Sequence, residues 1–80
     1  MQAQDIKALL EAKLENCEVN VQGDGSHFDI TVIGVMFDGL RAVKKQQLVY
    51  AVLSEEIASG AIHAVNMKLY TPQEWAQQTN

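Results

Sequence analysis

The chain is 80 residues long, 48% apolar and 20% charged, a balance that suits a folded globular domain and excludes a disordered tail. Six Lys and Arg against ten Asp and Glu leave a net charge of −4, which opposes non-specific attraction to nucleic acid or to anionic lipid. A core this small has little room for a buried enzyme pocket, and no apolar run reaches the length of a membrane span.

The first residues, Met-Gln-Ala-Gln-Asp, lack the basic and apolar regions of an export signal, so a cytoplasmic location is expected. Ile6, Leu9, Leu10 and Leu14 recur at helical spacing with charged residues between them, which predicts an amphipathic helix over 4–15. Cys17 is the one cysteine; it rules out an internal disulfide and agrees with a reducing compartment. Residues 18–22 alternate, so a short strand is expected with Val19 and Val21 facing inward. Gly23-Asp24-Gly25-Ser26 then reads as a turn. A second strand is expected over 27–35, and its β-branched middle, Ile30-Thr31-Val32-Ile33, suits the centre of a sheet. Phe37-Asp38-Gly39-Leu40 reads as a further turn.

From 41 to 59 the period returns to 3.6, with Val49, Val52, Leu53 and Ile57 on one face and Leu48 widening it. Gly60 is the expected C-cap. Val65, Met67 and Leu69 alternate with Asn66 and Lys68, which predicts a third strand. A strong helix start follows. Thr71 suits the N-cap, Pro72 the first helical position and Glu74 the return bond to the cap, with Tyr70 and Trp75 as a hydrophobic staple. The order αββααβα predicts a single α+β domain over 1–80, a three-stranded mixed sheet packed against helices, similar to the type II KH fold. A strand, helical crossover and strand normally return parallel and right-handed, so the third strand is expected beside the second.

That topology has a chemical consequence. His27 opens the second strand and His63 opens the third, so parallel neighbours bring both imidazoles to one sheet end. Neutral imidazole is the commonest metal ligand, although two histidines in so short a chain also meet by accident. The alternation sends His27 to the face opposite Phe28, Ile30 and Val32, while His63 shares parity with Val65 and Met67. Two histidines fall short of a complete zinc set, structural or catalytic, unless Asp24 or another carboxylate joins them, and a partly filled site at an edge invites ligands from a partner. The pattern leaves open whether Cys17 lies near them; its plainer reading is a small packing residue. Arg41, Lys44 and Lys45 hold three of the six basic residues and form a candidate nucleic-acid contact. The Gly-x-x-Gly clamp of KH domains is missing from 40–59, and neither a nucleophile triad nor a phosphate-binding glycine pattern is present. No enzyme is expected.

Five pieces, Gly23-Asp24-Gly25-Ser26-His27-Phe28, Phe37-Asp38-Gly39-Leu40, Val43-Lys44-Lys45-Gln46-Gln47-Leu48-Val49-Tyr50, Ile62-His63-Ala64 and Thr71-Pro72-Gln73-Glu74-Trp75, resemble the BolA family in the family's order. They are most similar to its IbaG branch of bacterial acid-stress proteins. The resemblance implies a non-enzymatic partner of a monothiol glutaredoxin of the CGFS type. It implies that the pair shares a [2Fe-2S] cluster with glutathione, in iron–sulfur assembly or trafficking and the stress response. His63 then matches the family's C-terminal ligand histidine and His27 the loop histidine. The alternative is a BolA-type DNA-binding transcriptional regulator using Arg41, Lys44 and Lys45. The family's regulators carry a more basic segment than Lys44-Lys45-Gln46-Gln47, which predicts weak DNA binding. A homodimer is left open, and no membrane contact is expected.

Overall fold

The β-branched middle of the chain builds the centre of a three-stranded sheet, in the order β1 (Cys17–Asp24), β2 (His27–Gly34), β3 (Ala64–Tyr70). This computed structural model describes residues 1–79, so Asn80, the last position of the predicted domain, lies outside the described residues. β2 pairs antiparallel with β1 and parallel with β3, as the crossover rule requires. The register sets Phe28, Ile30 and Val32 beside Val65, Met67 and Leu69, so the apolar sets of both strands share a face. Val19 and Val21 join them from β1.

Helices cover that face. Ile6 and Leu10 of α1 (Ala3–Lys13), with Leu14 just beyond, pack with Val49 of α2 (Ala42–Val52), Leu53 and Ile62 on the β2 residues. The opposite face carries Asn20, Asp29, Asn66 and Lys68, all exposed, and Asn66 donates to the Asp29 carboxylate at 2.9 Å. A fourth helix, α4 (Pro72–Thr79), follows β3 directly, giving the αββααβα order and α+β class. Among the described residues no helix is long and apolar enough to cross a membrane.

Two expectations are corrected, the bounds of the hairpin and the place of Leu48. The first strand runs two residues further than predicted, so the hairpin turn shrinks to Gly25-Ser26. The expected turn over Phe37–Leu40 is present, with the Leu40 N–H donating to the Phe37 carbonyl at 3.1 Å and Gly39 at φ +77°, while Phe37 itself, at the end of a 3-10 turn (Val35–Phe37), is fully buried in the core. The two helices expected between β2 and β3 meet at Leu53, which leaves helical geometry (φ −99°, ψ 9°) and starts α3 (Ser54–Ala58), but Leu48 does not widen the apolar face as expected. Turning the chain there keeps Leu53 in the core and lets Ile57 pack against it, while Leu48 is exposed.

The hairpin depends on Gly23. Its φ is +131°, and a Cβ there would stand 2.3 Å from the His27 carbonyl oxygen and 2.9 Å from the Phe28 Cα. Gly25 also has positive φ, +62°, but faces open space. Gly23→Ala is therefore expected to cost about 3 kcal/mol through strain and collision together, and Gly25→Ala about 1 kcal/mol through backbone strain alone. Urea midpoints of the two variants check this; equal losses would show that the close approach is not rigid.

Candidate functional site

The parallel ladder sets the position of both histidines. His27 pairs with Ala64 in the register, and the Ser26 carbonyl accepts the N–H groups of His63 at 2.8 Å and Ala64 at 3.1 Å. The backbones at 27 and 63 are thus neighbours, about 5 Å apart across the ladder. Both imidazoles are exposed. They leave the sheet end differently. His27 stands on the open face with Ala64 and its cross-strand partner Asp24. His63 lies in the loop before β3, where its ring rests beside Gly60 at the end of α3. Gly60 has φ +85° and its N–H reaches the Ile57 carbonyl at 3.2 Å, as expected of a glycine that ends a helix.

Cys17 is placed elsewhere. It pairs with Gly34 at the far end of β2, about 23 Å along the strand from His27. Its thiol donates to the Leu14 carbonyl at 3.3 Å. Partial burial, with the Glu11 charge added, raises the thiol above its ordinary range, so it is a poorer thiolate than a free cysteine. Among the described residues no group of three or more His, Cys, Asp or Glu side chains is placed to hold a metal ion. The two imidazoles at the histidine end, with the carboxylate of Asp24, the residue paired to His27 across the hairpin, do not form a complete metal site alone.

The three cations do not form one patch. Arg41 and Lys44 are exposed, but Lys45 is buried, with its ammonium 2.8 Å from the Glu74 carboxylate of α4. The lysine side chain is covered along its length, and its ammonium emerges against a half-exposed carboxylate. The reason is spacing: Lys45, Val49 and Leu53 follow at intervals of four and form the inward stripe of α2. That stripe was the available signal for Lys45, and the role of Glu74 beyond capping had none nearby in sequence.

Glu74 is held twice. The same Oε1 accepts the Thr71 N–H at 2.8 Å while the Glu74 N–H donates to the Thr71 hydroxyl at 3.1 Å, a reciprocal cap. Tyr70 and Trp75 stack at 5.3 Å between ring centroids, tilted by 55°. The predicted junction is present in full, and α2 is tied to it.

This sheet order, hairpin and sequence set can be compared with known proteins. Residues 2–74 match the family of BolA-like proteins. The chain belongs to the BolA family. It is 51% identical over 77 residues to the acid stress protein IbaG of Escherichia coli (strain K12), covering 96% of this chain and 92% of that protein. It is 38% identical to the DNA-binding transcriptional regulator BolA of Vibrio cholerae, over 95% of this chain and 68% of that protein. The structure of a BolA protein homologue from Coxiella burnetii matches with a TM-score of 0.84 at 36% identity, covering 95% of this chain and 97% of that one.

In this BolA-family chain the Lys45 ammonium first, then the Thr71 N–H, hold the Glu74 carboxyl below its ordinary range. The fold then prefers ionised Glu74, so the contribution is complete above the unfolded value, about pH 4.3, and is lost as pH falls through the lower folded value. Glu74→Gln keeps acceptors for both donors and removes the charge. Urea unfolding is expected to show the variant less stable at pH 7 and the gap closing as pH falls below about 4.3. A gap that stays constant with pH would contradict the ion pair's role.

Proposed function

We propose that this BolA-family protein is a non-enzymatic partner that completes a [2Fe-2S] cluster with a monothiol CGFS glutaredoxin and glutathione, for iron–sulfur assembly or trafficking under stress. The observation that carries the reading is the parallel pairing of β2 and β3, which sets two exposed imidazoles at one sheet end, while among the described residues no three donor side chains are placed to hold a metal ion by themselves. Neutral imidazole nitrogen suits iron, and an incomplete, exposed set fits half of a shared site better than a resident one. His63 would hold the cluster, with His27 as a second ligand or a flanking group. The cluster would supply electron transfer or be handed on as cargo; the chain's own part is to present His63 at a fixed place. The name of the Escherichia coli relative supports the stress setting. Nothing in this reading involves a membrane.

Mixing the chain with a CGFS glutaredoxin, glutathione, iron and sulfide and recording visible circular dichroism tests it. His63→Ala is expected to lose most of the cluster signal, His27→Ala to fall between, and Cys17→Ser to match wild type, while size-exclusion chromatography still shows a folded chain. A full signal in His63→Ala would remove the ligand role.

The regulator reading draws on the name of the Vibrio cholerae relative. With Lys45 engaged by Glu74, Arg41 and Lys44 remain, and two phosphate contacts give a log–log salt slope of about −1.8. Weak, sequence-indifferent DNA binding with that slope is expected in a salt titration. A steeper slope with sequence-selective nanomolar binding would favour the regulator.

A further inference from the structure

Gly60 and His63 are three positions apart, and the loop between α3 and β3 folds them together. The backbone of this loop is held from both sides: the Ile62 N–H donates to the Glu56 carbonyl at 3.1 Å, and the His63 N–H to the Ser26 carbonyl at 2.8 Å. With the His63 backbone held, its ring position depends on what stands beside it. A Cβ built on Gly60 would lie 3.5 Å from His63 Nε2 and 3.9 Å from Cδ2, with no other atom within 4 Å outside its immediate neighbours in the chain. A side chain at position 60 would therefore flank the Nε2 edge of the ring and little else.

Ending the helix does not by itself explain glycine here. A residue with φ of +85° at a helix end accepts asparagine as well as glycine. The neighbouring imidazole adds a second consequence: any side chain at position 60 would be in van der Waals contact with one ring nitrogen. A metal ion on an imidazole nitrogen stands about 2.1 Å out from it, so a side chain in contact with Nε2 would crowd the surroundings of such an ion.

We propose that Gly60 is a positioning residue for His63: the side chain it lacks keeps the Nε2 edge of the imidazole open, and Nε2 is the nitrogen offered to the shared metal. This deepens the cluster reading and rests on it for the identity of the metal. The openness of Nε2 is a property of the chain alone.

Gly39 supplies the control. Its φ is +77°, close to that of Gly60, and a Cβ there meets nothing within 4 Å, so Gly39→Ala carries comparable backbone strain without touching a histidine. The first measurement uses the chain alone, modified by diethylpyrocarbonate, with the rate at His63 read by peptide mass spectrometry against His27 as internal reference. Gly60→Ala is expected to slow His63 at least threefold and leave His27 unchanged, while Gly39→Ala changes neither. Should Gly60→Ala unfold, Gly60→Asn, which tolerates positive φ, takes its place with Gly39→Asn as its twin. The second measurement reconstitutes the [2Fe-2S] complex with a CGFS glutaredoxin, glutathione, iron and sulfide. Gly60→Ala is expected to lose at least half of the visible circular dichroism that Gly39→Ala retains. A His63 rate and a cluster signal equal to those of the Gly39 variant would overturn the positioning role. A full signal in His63→Ala would instead overturn the cluster reading, and the modification rates would still decide whether Gly60 controls access to Nε2.

Discussion

The parallel pairing of β2 with β3 is the constraint on which the rest depends. A parallel neighbour cannot be reached by a tight turn, so the chain must cross over the sheet between Gly34 and Ala64, and α2 and α3 are that crossover. Crossing over covers the apolar face with Val49 and Leu53 and returns the chain to the end from which β2 set out. His63 therefore arrives beside Ser26 and His27. An antiparallel return would have delivered it beside Gly34, the end that holds Cys17. The choice of direction decides which donors can meet.

The same crossover explains the ion pair between Lys45 and Glu74. α2 lies over the core with its inward stripe against the sheet, and α4 starts where β3 ends, so the N-terminal part of α2 meets the first turn of α4. One carboxylate oxygen then caps its own helix and pairs with the ammonium of a largely covered lysine from another. Residue types that suggest nucleic-acid binding in a linear reading are divided by this packing into one structural cation and two exposed ones.

Much of this was legible in the sequence because local chemistry and tertiary packing agree. Alternation at Val65, Met67 and Leu69, the Thr71 to Glu74 cap and glycine at position 60 each require only neighbours in the chain, and each is present. The parallel order followed from a general rule of handedness. Other features depend on distant groups. Phe37 sits in a segment rich in turn residues, yet the core needs an aromatic where β2 ends, and the 3-10 turn delivers it. Leu48 looked like part of the apolar face, but the inward stripe runs through Lys45, Val49 and Leu53 at intervals of four and leaves Leu48 outside. The separation of Cys17 from the histidines needed the register, and the contact between Gly60 and the His63 ring needed the fold of the loop.

The proposal at the centre of this account is that a His63 nitrogen bonds to the iron of a shared cluster. Hyperfine spectroscopy of the reduced mixed complex tests that bond directly, with this chain labelled with ¹⁵N at its histidines and the glutaredoxin and glutathione left unlabelled. The account predicts a strongly coupled ¹⁵N signal that disappears in His63→Ala. A reduced cluster with no strongly coupled ¹⁵N, in a complex that still contains this chain, would contradict it.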